Sequence, residues 1–342
     1  MKRFCQTRAA GLLIALVVLC CAMQAQMLRA TRVETVGFTV SDMDRSIDFY
    51  TRVLHFQKVS DRRIPDGNAR VVRMQLGEEQ IEVTQYEAKG QPFPADSHGN
   101  DHWFQHVAIV VSDMQKAYAV LRQNRVRHAS SAPQRLPDWN QNAAGIEAFY
   151  FRDPDGHYLE LIHFPPGKGD PKWQRPTGEL YLGIDHTAIV VADTDQSLRF
   201  YRDLLGMHIG GESENYGAEQ EHLNGVFAAH LRITALRAER GPGIELLEYL
   251  SPTDGRETPS DLRANDIAHW ETRVEFHENV RQAWDAARAA HITLVSPSAA
   301  EGPADTGVEF LAQDPDRHVI VFCCAKPNAI SRITSAAEGE RQ

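Results

Sequence analysis

The sequence predicts an α+β fold of four repeated units, each made of a strand, a helix and three further strands. Four apolar runs, VGFTV, VAIVV, TAIVV and TRVEF, each lead into an aspartate or asparagine that opens a helical pattern. These capping positions are Asp42, Asp113, Asp193 and Asn279. Residues 34–50 match residues 185–201 without gaps, at a constant offset of 151. Self-similarity of this kind is the signature of a repeat architecture.

The helices are predicted from the apolar positions that follow each cap. In the first copy these positions are Ile47, Tyr50, Val53 and Leu54, and in the third they are Leu198, Tyr201, Leu204 and Leu205. This spacing indicates amphipathic helices that lie on a sheet. The capping side chain accepts a hydrogen bond from the first helical turn, which fixes where each helix begins.

The closing strands of each unit are short apolar runs with turn residues between them. The last runs are QIEVTQY, DPDGHYLELIHF, GIELLEY and DPDRHVIVFCC, and Asp-Pro-Asp marks a turn. Two units make one module, so we expect modules at residues 32–165 and 182–326. The linker at 166–181 is rich in proline, glycine and charge, and the polar tail at 327–342 is expected to be flexible.

The N-terminus has the features of a secretory signal peptide at residues 1–25. Lys2, Arg3 and Arg8 precede the apolar run 11–22, and small residues follow near Ala25. The run is shorter than the roughly 20 residues that a bilayer span requires. We therefore expect cleavage and export to the periplasm or the medium, with an uncleaved membrane anchor as the alternative.

Charge and cysteine content restrict the classes of partner and site. The net charge is −10 and the isoelectric point is about 5.8, with no basic stripe, so we expect no nucleic-acid partner. Once the signal peptide is removed, only Cys323 and Cys324 remain. Neighbours on a strand point to opposite faces, so these two cysteines predict neither a disulfide framework nor a zinc site.

Two histidines and two glutamates recur at equivalent positions of the repeat. The aligned positions on the first strands are Thr35, His106, His186 and Thr272. The aligned positions on the last strands are Glu82, Glu160, Glu245 and Val321. First and last strands lie side by side on a curved sheet, so residues on its concave face can meet at one point. The second and third copies thus each supply one histidine and one glutamate.

Imidazole nitrogen and carboxylate oxygen suit first-row divalent metals such as Ni, Zn, Mn, Fe or Co. A site of His106, Glu160, His186 and Glu245 would be neutral with a divalent ion. It would fill four of six octahedral positions and leave two adjacent ones for a substrate with neighbouring oxygens. A Lewis-acidic metal stabilises the enolate or enediolate formed by proton abstraction. Glu160 or Glu245 is the natural base, because a ligand carboxylate is close to the substrate and can loosen from the metal.

The repeat resembles the vicinal oxygen chelate superfamily, on three features. These are the fourfold strand-helix-three-strand pattern, the histidine that opens DHTAIVVADTDQSLRFYRDLLGM and the DPDGHYLEL ending. That family includes glyoxalase I, methylmalonyl-CoA epimerase, extradiol dioxygenases and the bleomycin and fosfomycin resistance proteins. The resemblance covers nearly all of residues 32–326. It implies two glyoxalase-like modules with curved mixed sheets, and it is specific for the fold and the metal positions rather than for the reaction.

The resemblance also implies how the copies pair. In glyoxalase I-like proteins the site forms between modules, which would pair copy two with copy three and copy one with copy four. This gives one complete site, His106, Glu160, His186 and Glu245, and one dead site, Thr35, Glu82, Thr272 and Val321. Pairing within modules, as in extradiol dioxygenases, leaves neither set complete. We therefore prefer the first pairing, and a chain that completes its own site is expected to be a monomer.

Ligand count separates the reactions that the family catalyses. A ring-cleaving dioxygenase binds a diol and O₂ together and needs three open positions, whereas four protein ligands leave two. We therefore expect a glyoxalase I-like lyase or isomerase that acts on a small molecule with adjacent oxygens. The alternatives are an extradiol dioxygenase and a non-catalytic drug-binding protein that resembles the bleomycin resistance proteins. Export argues against detoxification of glutathione conjugates, because that thiol pool is mainly cytosolic.

A few other residues are weaker candidates. His102 lies four residues before His106 and could support it, and Trp103, Trp139 and His222 are in loops that could line a pocket. Arg62 and Arg63 could contact an anionic substrate, but they belong to the copy assigned to the dead site.

Overall fold

A computed structural model describes residues 28–64, 68–301 and 307–324 of this chain. The predicted signal peptide and the predicted C-terminal tail both lie outside the described residues. Within these ranges, no helix has the length and apolarity needed to cross a membrane.

Among the described residues, the first two repeats supply nine strands. The first repeat contains β1 (Ala30–Thr39), β2 (Gln57–Ile64), β3 (Ala69–Leu76) and β4 (Glu79–Tyr86). The second repeat contains β5 (Gln105–Val111), β6 (Arg127–His128), β7 (Gln134–Arg135), β8 (Glu147–Arg152) and β9 (Tyr158–His163).

The last two repeats supply a further nine. The third repeat contains β10 (Tyr181–Val191), β11 (His208–Tyr216), β12 (His230–Arg237) and β13 (Gly243–Ser251). The fourth contains β14 (Trp270–Phe276), β15 (Thr293–Leu294), β16 (Ala300–Glu301), β17 (Val308–Gln313) and β18 (Val319–Cys324).

Among the described residues, four of the five α-helices begin where the capping residues predict, and the sequence does not predict the exception, Ala218–Asn224. The five helices are α1 (Met43–Asp48), α2 (Met114–Gln123), α3 (Thr194–Leu198), α4 (Ala218–Asn224) and α5 (Val280–Ala289). Asp42, Asp113, Asp193 and Asn279 each accept a hydrogen bond from the backbone N–H three residues on, at 2.9–3.0 Å. In the first and third repeats the helix widens into a π-helical turn, Phe49–Val53 and Arg199–Leu204.

Each module contributes one repeat to each of two nine-stranded sheets. The inner sheet joins the second and third repeats in the order β11-β12-β13-β10-β5-β9-β8-β6, with β7 paired to β8. The outer sheet joins the first and fourth repeats in the order β15-β17-β18-β14-β1-β4-β3-β2, with β16 paired to β17. At the centres, β5 runs antiparallel to β10 and β1 antiparallel to β14. This is the cross-module pairing that the family resemblance implies.

Two large clusters of the hydrophobic core each join the two repeats of one module. One buried cluster combines Tyr50 and Val83 of the first repeat with Ile109 and Phe149 of the second. Another combines side chains of the third and fourth repeats, including Tyr201 and Phe322. A third cluster joins Tyr150 of the second repeat to Leu247 of the third, so strand pairing and side-chain packing both hold the two modules together.

Candidate metal centre

Four neighbouring strands at the middle of the inner sheet each contribute one of the predicted ligands. His106 lies on β5, Glu160 on β9, His186 on β10 and Glu245 on β13. In the strand order these four are adjacent, β13-β10-β5-β9. Side chains alternate between the two faces of a strand, and the register places all four candidates on the same face.

The donor atoms lie at distances that suit ligands of one ion. His106 Nε2 is 3.0 Å from Glu160 Oε2, and His186 Nε2 is 3.5 Å from the same oxygen. His186 Nε2 is also 3.4 Å from Glu245 Oε2. Ligands about 2.1 Å from a metal and at right angles to each other are roughly 3.0 Å apart. His186 Nε2 is buried with no hydrogen-bond partner among the described residues, as expected of a nitrogen that a metal would occupy.

Glu245 differs from the other three candidates. Donor atoms of His106, Glu160 and His186 all lie within 4.8 Å of one another, and these residues are buried. The side chain of Glu245 is 22% exposed, against 6% for that of Glu160. The arrangement therefore combines a tight group of two histidines and one carboxylate with a second carboxylate at the edge of the open space.

The charges of the site support one another. Burial alone would raise the pKa of Glu160, but the hydrogen bond from His106 and the nearby positive charge of His186 outweigh burial and lower that pKa. Burial opposes protonation of His186, yet the carboxylates of Glu245, Asp185 and Glu160 raise its pKa well above the ordinary value. The surrounding carboxylates therefore favour a positive charge at this position. A divalent cation would supply that positive charge.

A large pocket opens onto the candidate ligands. Its volume is about 1090 Å³, and Glu160, His186 and Glu245 form part of its lining. Tyr150 lies opposite Glu160 on β8 and also lines the pocket. Burial, followed by the charges of the nearby glutamates, raises the pKa of Tyr150 well above its ordinary value, so it is a neutral phenol. Apolar walls are formed by Leu136, Ile146, Ile162, Leu223 and Ile233.

Two segments outside the regular repeat form a wall of this pocket. One is the loop 136–146 before β8, and the other is α4, which interrupts the hairpin between β11 and β12. Asn140 Nδ2 donates to Asn215 Oδ1 at 2.6 Å, and Asn142 Nδ2 donates to the backbone oxygen of Glu212 at 2.7 Å. The loop is thereby fastened across the pocket to β11.

The predicted dead site in the outer sheet needs one correction. In the inner sheet His106 pairs with Ala188, and in the outer sheet the residue that pairs with Gly37 is Glu271. Because Gly37 aligns with Ala188, the counterpart of His106 is Glu271 and not Thr272. The fourth repeat has one extra residue between this position and its helix cap. Alignment on the cap alone therefore misplaces the strand by one residue, which moves the side chain to the other face.

Charged side chains fill the outer sheet where the inner sheet is open. The inner sheet carries Ala108, Ala148, Ser213 and Ala235, and the same register positions in the outer sheet carry Arg273, Glu309, Arg62 and Arg73. Arg73 Nε binds Glu82 Oε2 at 2.5 Å, and Arg62 binds the same oxygen at 3.2 Å. Arg273 pairs with Glu309. Guanidinium groups thus neutralise Glu82, so the described residues form no second donor cluster.

The weaker sequence candidates lie away from the ligands. His102 Nδ1 faces Asp316 Oδ1 at 3.2 Å, and the buried Trp103 donates to Ser97. Trp139 is half exposed and packs against Tyr216, with ring centroids 4.4 Å apart. His222 and Arg63 are exposed, and Arg62 belongs to the outer sheet. Trp103, Trp139 and His222 are not among the residues that line the pocket.

Sequence reasoning missed Asp185, which precedes His186 and touches it. Its Oδ2 lies 3.0 Å from His186 Nδ1. On a regular strand, neighbouring side chains point to opposite faces, but the register of β10 shifts between Ile184 and His186. The adjacent Asp-His pair is visible in the sequence, whereas the irregularity that brings the two side chains together is not.

Comparisons with known proteins place these features in a family. Residues 32–161 and 183–322 match the model of the Glyoxalase/Bleomycin resistance protein/Dioxygenase superfamily. A lactoylglutathione lyase of Arabidopsis thaliana is 28% identical over 178 residues, which cover 51% of this chain and 54% of the relative. The chain thus spans about half the length of that relative.

Two further relatives extend over most of the chain. A catechol-2,3-dioxygenase of Bacillus subtilis is 22% identical over 301 residues, which cover 78% of this chain and 97% of the relative. The crystal structure of glyoxalase I from Zea mays superposes with a TM-score of 0.60 at 18% identity, covering 86% of this chain and 92% of that one. At this identity the structural likeness shows the shared fold and not a shared reaction.

Proposed function

Because this chain belongs to the Glyoxalase/Bleomycin resistance protein/Dioxygenase superfamily, we propose that it is a metal-dependent lyase or isomerase of the glyoxalase type. Its substrate would be a small molecule with two adjacent oxygens. The observation that carries the proposal is the set of two histidines and two glutamates on four adjacent strands, open on one side to a pocket. We further propose that the chain is exported, on the basis of its N-terminal sequence.

His106, Glu160 and His186 would hold the metal, with Glu245 as the fourth ligand. A divalent ion bound there supplies Lewis acidity to the oxygens of the substrate. Ni, Zn, Mn, Fe and Co all suit two imidazoles and two carboxylates. The buried position of the first three residues excludes water from that side. Glu245 faces the pocket, so a substrate would approach the centre past this carboxylate.

Glu160 and Glu245 both lie next to the proposed metal position, so either carboxylate could act as the base. The greater exposure of Glu245 favours Glu245. Its carboxylate would take a proton from the carbon next to the carbonyl and return it to the neighbouring carbon. The net change is an isomerisation that consumes no oxidant or reductant. Positioned general bases typically contribute about 10²- to 10⁴-fold to the rate. Tyr150, as a neutral phenol that lines the pocket, can donate a hydrogen bond to a substrate oxygen.

The test uses the metal-loaded protein in D₂O with the hemithioacetal of methylglyoxal and, separately, with an α-hydroxyketone. Isomerised product supports the proposal, and its deuterium content measures how far the proton on the base exchanges with solvent before it returns to carbon. At saturating metal, Glu245→Gln is expected to stay loaded through His106, Glu160 and His186, with weaker affinity, and to lose at least about a hundredfold in rate. Glu248→Gln is the matched control, because Glu248 lies on the same strand but its carboxylate accepts from the Thr194 backbone instead. Unchanged turnover in Glu245→Gln would assign the base elsewhere.

The second candidate function is extradiol ring cleavage. Two histidines and one carboxylate form the tightest group in the site, and that donor set is typical of non-haem Fe(II) oxygenases. If Glu245 leaves the metal, three positions open and a diol and O₂ could bind together. Oxygen uptake with a catechol by the Fe²⁺-loaded protein, without isomerase activity, would decide for this alternative. A protein that binds no metal and turns over neither substrate would instead be a binding protein.

A further inference from the structure

Asp185 makes a buried set of charged contacts behind one of the candidate ligands. It is 4% exposed. Its Oδ2 lies 3.0 Å from His186 Nδ1 and accepts from Arg237 at 2.8 Å. Its Oδ1 accepts from the indole N–H of Trp173 at 2.9 Å. Arg237 also donates to the Asp185 backbone oxygen at 2.7 Å. Both carboxylate oxygens are therefore held in place from sides that do not face the metal position.

The other histidine has no such support. His106 Nδ1 is buried and has no hydrogen-bond partner among the described residues. Gln105, which precedes His106, donates to the Thr187 hydroxyl at 2.9 Å and does not contact the imidazole. The two histidines thus occupy related strand positions but differ on the side away from the metal.

The support of Asp185 comes partly from the linker between the modules. Trp173 lies in a 3₁₀ turn, Pro171–Gln174, next to Lys172. Lys172 Nζ binds Glu79 Oε1 at 2.5 Å, and Glu79 Oε2 accepts from the Ile184 backbone N–H at 3.1 Å. A Cβ on Gly183 would lie 2.8 Å from the indole of Trp173, so a larger residue would push the linker away. The linker turn is thereby packed directly onto the start of β10.

We infer that Asp185 is a positioning residue for the metal centre, and that Trp173 and Arg237 hold it in place. This inference rests on the metal site proposed above. An acceptor on Nδ1 fixes the imidazole in the tautomer whose Nε2 lone pair faces the metal, and its negative charge makes that nitrogen a stronger donor. Arg237 balances the charge that burial of Asp185 would otherwise leave unpaired. The linker is then part of the support for His186 and not only a connection between modules.

The outer sheet provides a matched control. Glu34 aligns with Asp185 in the repeat and is also paired with arginine, since its Oε1 lies 3.0 Å from Arg73. A charge-neutralising substitution at Glu34, whose side chain is more exposed than that of Asp185, therefore removes an arginine-paired carboxylate without touching the candidate ligands. Any difference between the two positions measures the effect on the metal centre rather than the loss of an ion pair.

The experiment measures Zn²⁺ affinity by competition with a chromogenic chelator in the wild type, Asp185→Asn, Trp173→Phe and Glu34→Gln. Substitution of a residue that supports a ligand histidine typically costs about 10- to 100-fold in metal affinity. We expect a loss in that range for Asp185→Asn, a smaller loss for Trp173→Phe and none for Glu34→Gln. The absorption bands of bound Co²⁺ should shift in Asp185→Asn and stay unchanged in Glu34→Gln.

Thermal unfolding in EDTA checks the metal-free fold of each variant. If Asp185→Asn fails to fold, Trp173→Phe carries the test, because it removes one donor and leaves no buried charge unpaired. The inference would be overturned if a folded Asp185→Asn keeps wild-type Zn²⁺ affinity and an unchanged Co²⁺ spectrum. If only Trp173→Phe folds, the same result in that variant would overturn it. Neither result would affect the proposed metal site. Absence of Zn²⁺ binding by the wild type would instead overturn the proposed metal site.

Discussion

Arg73 and Ala235 occupy the same position in two copies of the repeat. Each is the cross-strand partner of a glutamate, Glu82 in the outer sheet and Glu245 in the inner sheet. The guanidinium of Arg73 contacts Glu82 directly, whereas Ala235 leaves the space before Glu245 open as part of the pocket. The size of one side chain thus distinguishes a carboxylate neutralised by a fixed cation from one that can reach a metal.

Introducing the arginine of the outer sheet into the inner sheet should close the metal site. In Ala235→Arg the guanidinium would pair with Glu245 as Arg73 does with Glu82. We expect the variant to fold and to lose at least about a hundredfold in Zn²⁺ affinity, because the cation and the guanidinium compete for one carboxylate. Competition with a chelator measures the affinity, and Ala235→Ser should retain it. A metal-binding Ala235→Arg would show that Glu245 is not needed as a ligand.

Removing Glu82 should cost stability rather than metal. Its carboxylate is nearly buried between Arg62 and Arg73. Breaking a buried ion pair leaves an uncompensated charge and typically costs about 3 to 5 kcal/mol. We expect a loss at the lower end for Glu82→Ala, measured as the free energy of unfolding in urea. The exposed pair Asp48–Arg52 is the control, because solvent screens this ion pair and Asp48→Ala should change stability far less than Glu82→Ala. Equal losses would contradict the role assigned to Glu82.

A buried histidine at the module junction should make stability depend on pH. His157 Nδ1 faces Asp153 at 2.9 Å and Nε2 faces the Ile267 backbone oxygen at 2.7 Å, so both nitrogens donate and the ring is an imidazolium. Burial lowers the pKa of His157, but the charge and hydrogen bond of Asp153 outweigh burial and raise it above the ordinary 6.5. The stabilisation is complete below 6.5 and is lost as the pH rises through the raised pKa.

His157→Gln should therefore destabilise the protein more at pH 6 than at pH 9, by about 3 kcal/mol at the lower pH. Unfolding free energies of wild type and variant at both pH values give the comparison. His277→Gln is the control, because His277 is exposed and, among the described residues, its only hydrogen bond is through the backbone. A difference between wild type and His157→Gln that grows toward pH 9 would show that the native ring is neutral.

The sequence predicts the four candidate ligands because two regularities combine: the alternation of side chains along a strand and the repetition of the whole unit. Strand alternation fixes the face of a side chain, and the repeat fixes which strands are equivalent, so His106 and His186 can be matched without coordinates. The same reasoning fails by one residue at Thr272, since an extra residue precedes the helix cap of the fourth repeat. Neither regularity can reveal a register shift, which is why the contact of Asp185 with His186 requires the structure.

The pocket wall was beyond prediction for a different reason. α4 has no counterpart among the described residues of the other repeats, and the loop 136–146 is longer than the connection between β16 and β17; both are fastened by side-chain amides such as Asn140. Nothing in their local composition tells which part of the sheet they cover. The charged residues that fill the outer sheet could not be predicted either. In the sequence Arg62 and Arg73 resemble ordinary exposed strand residues, and only the structure shows their partners.

The central claim is that one metal site forms between the modules, from the second and third repeats. Metal content of purified wild type, His106→Ala, His186→Ala and Glu82→Ala, each loaded with Zn²⁺ and then dialysed, tests it most directly. We predict that the wild type and Glu82→Ala retain one equivalent of metal and that both histidine variants lose it. Loss of metal in a folded Glu82→Ala, or its retention in both histidine variants, would contradict the claim.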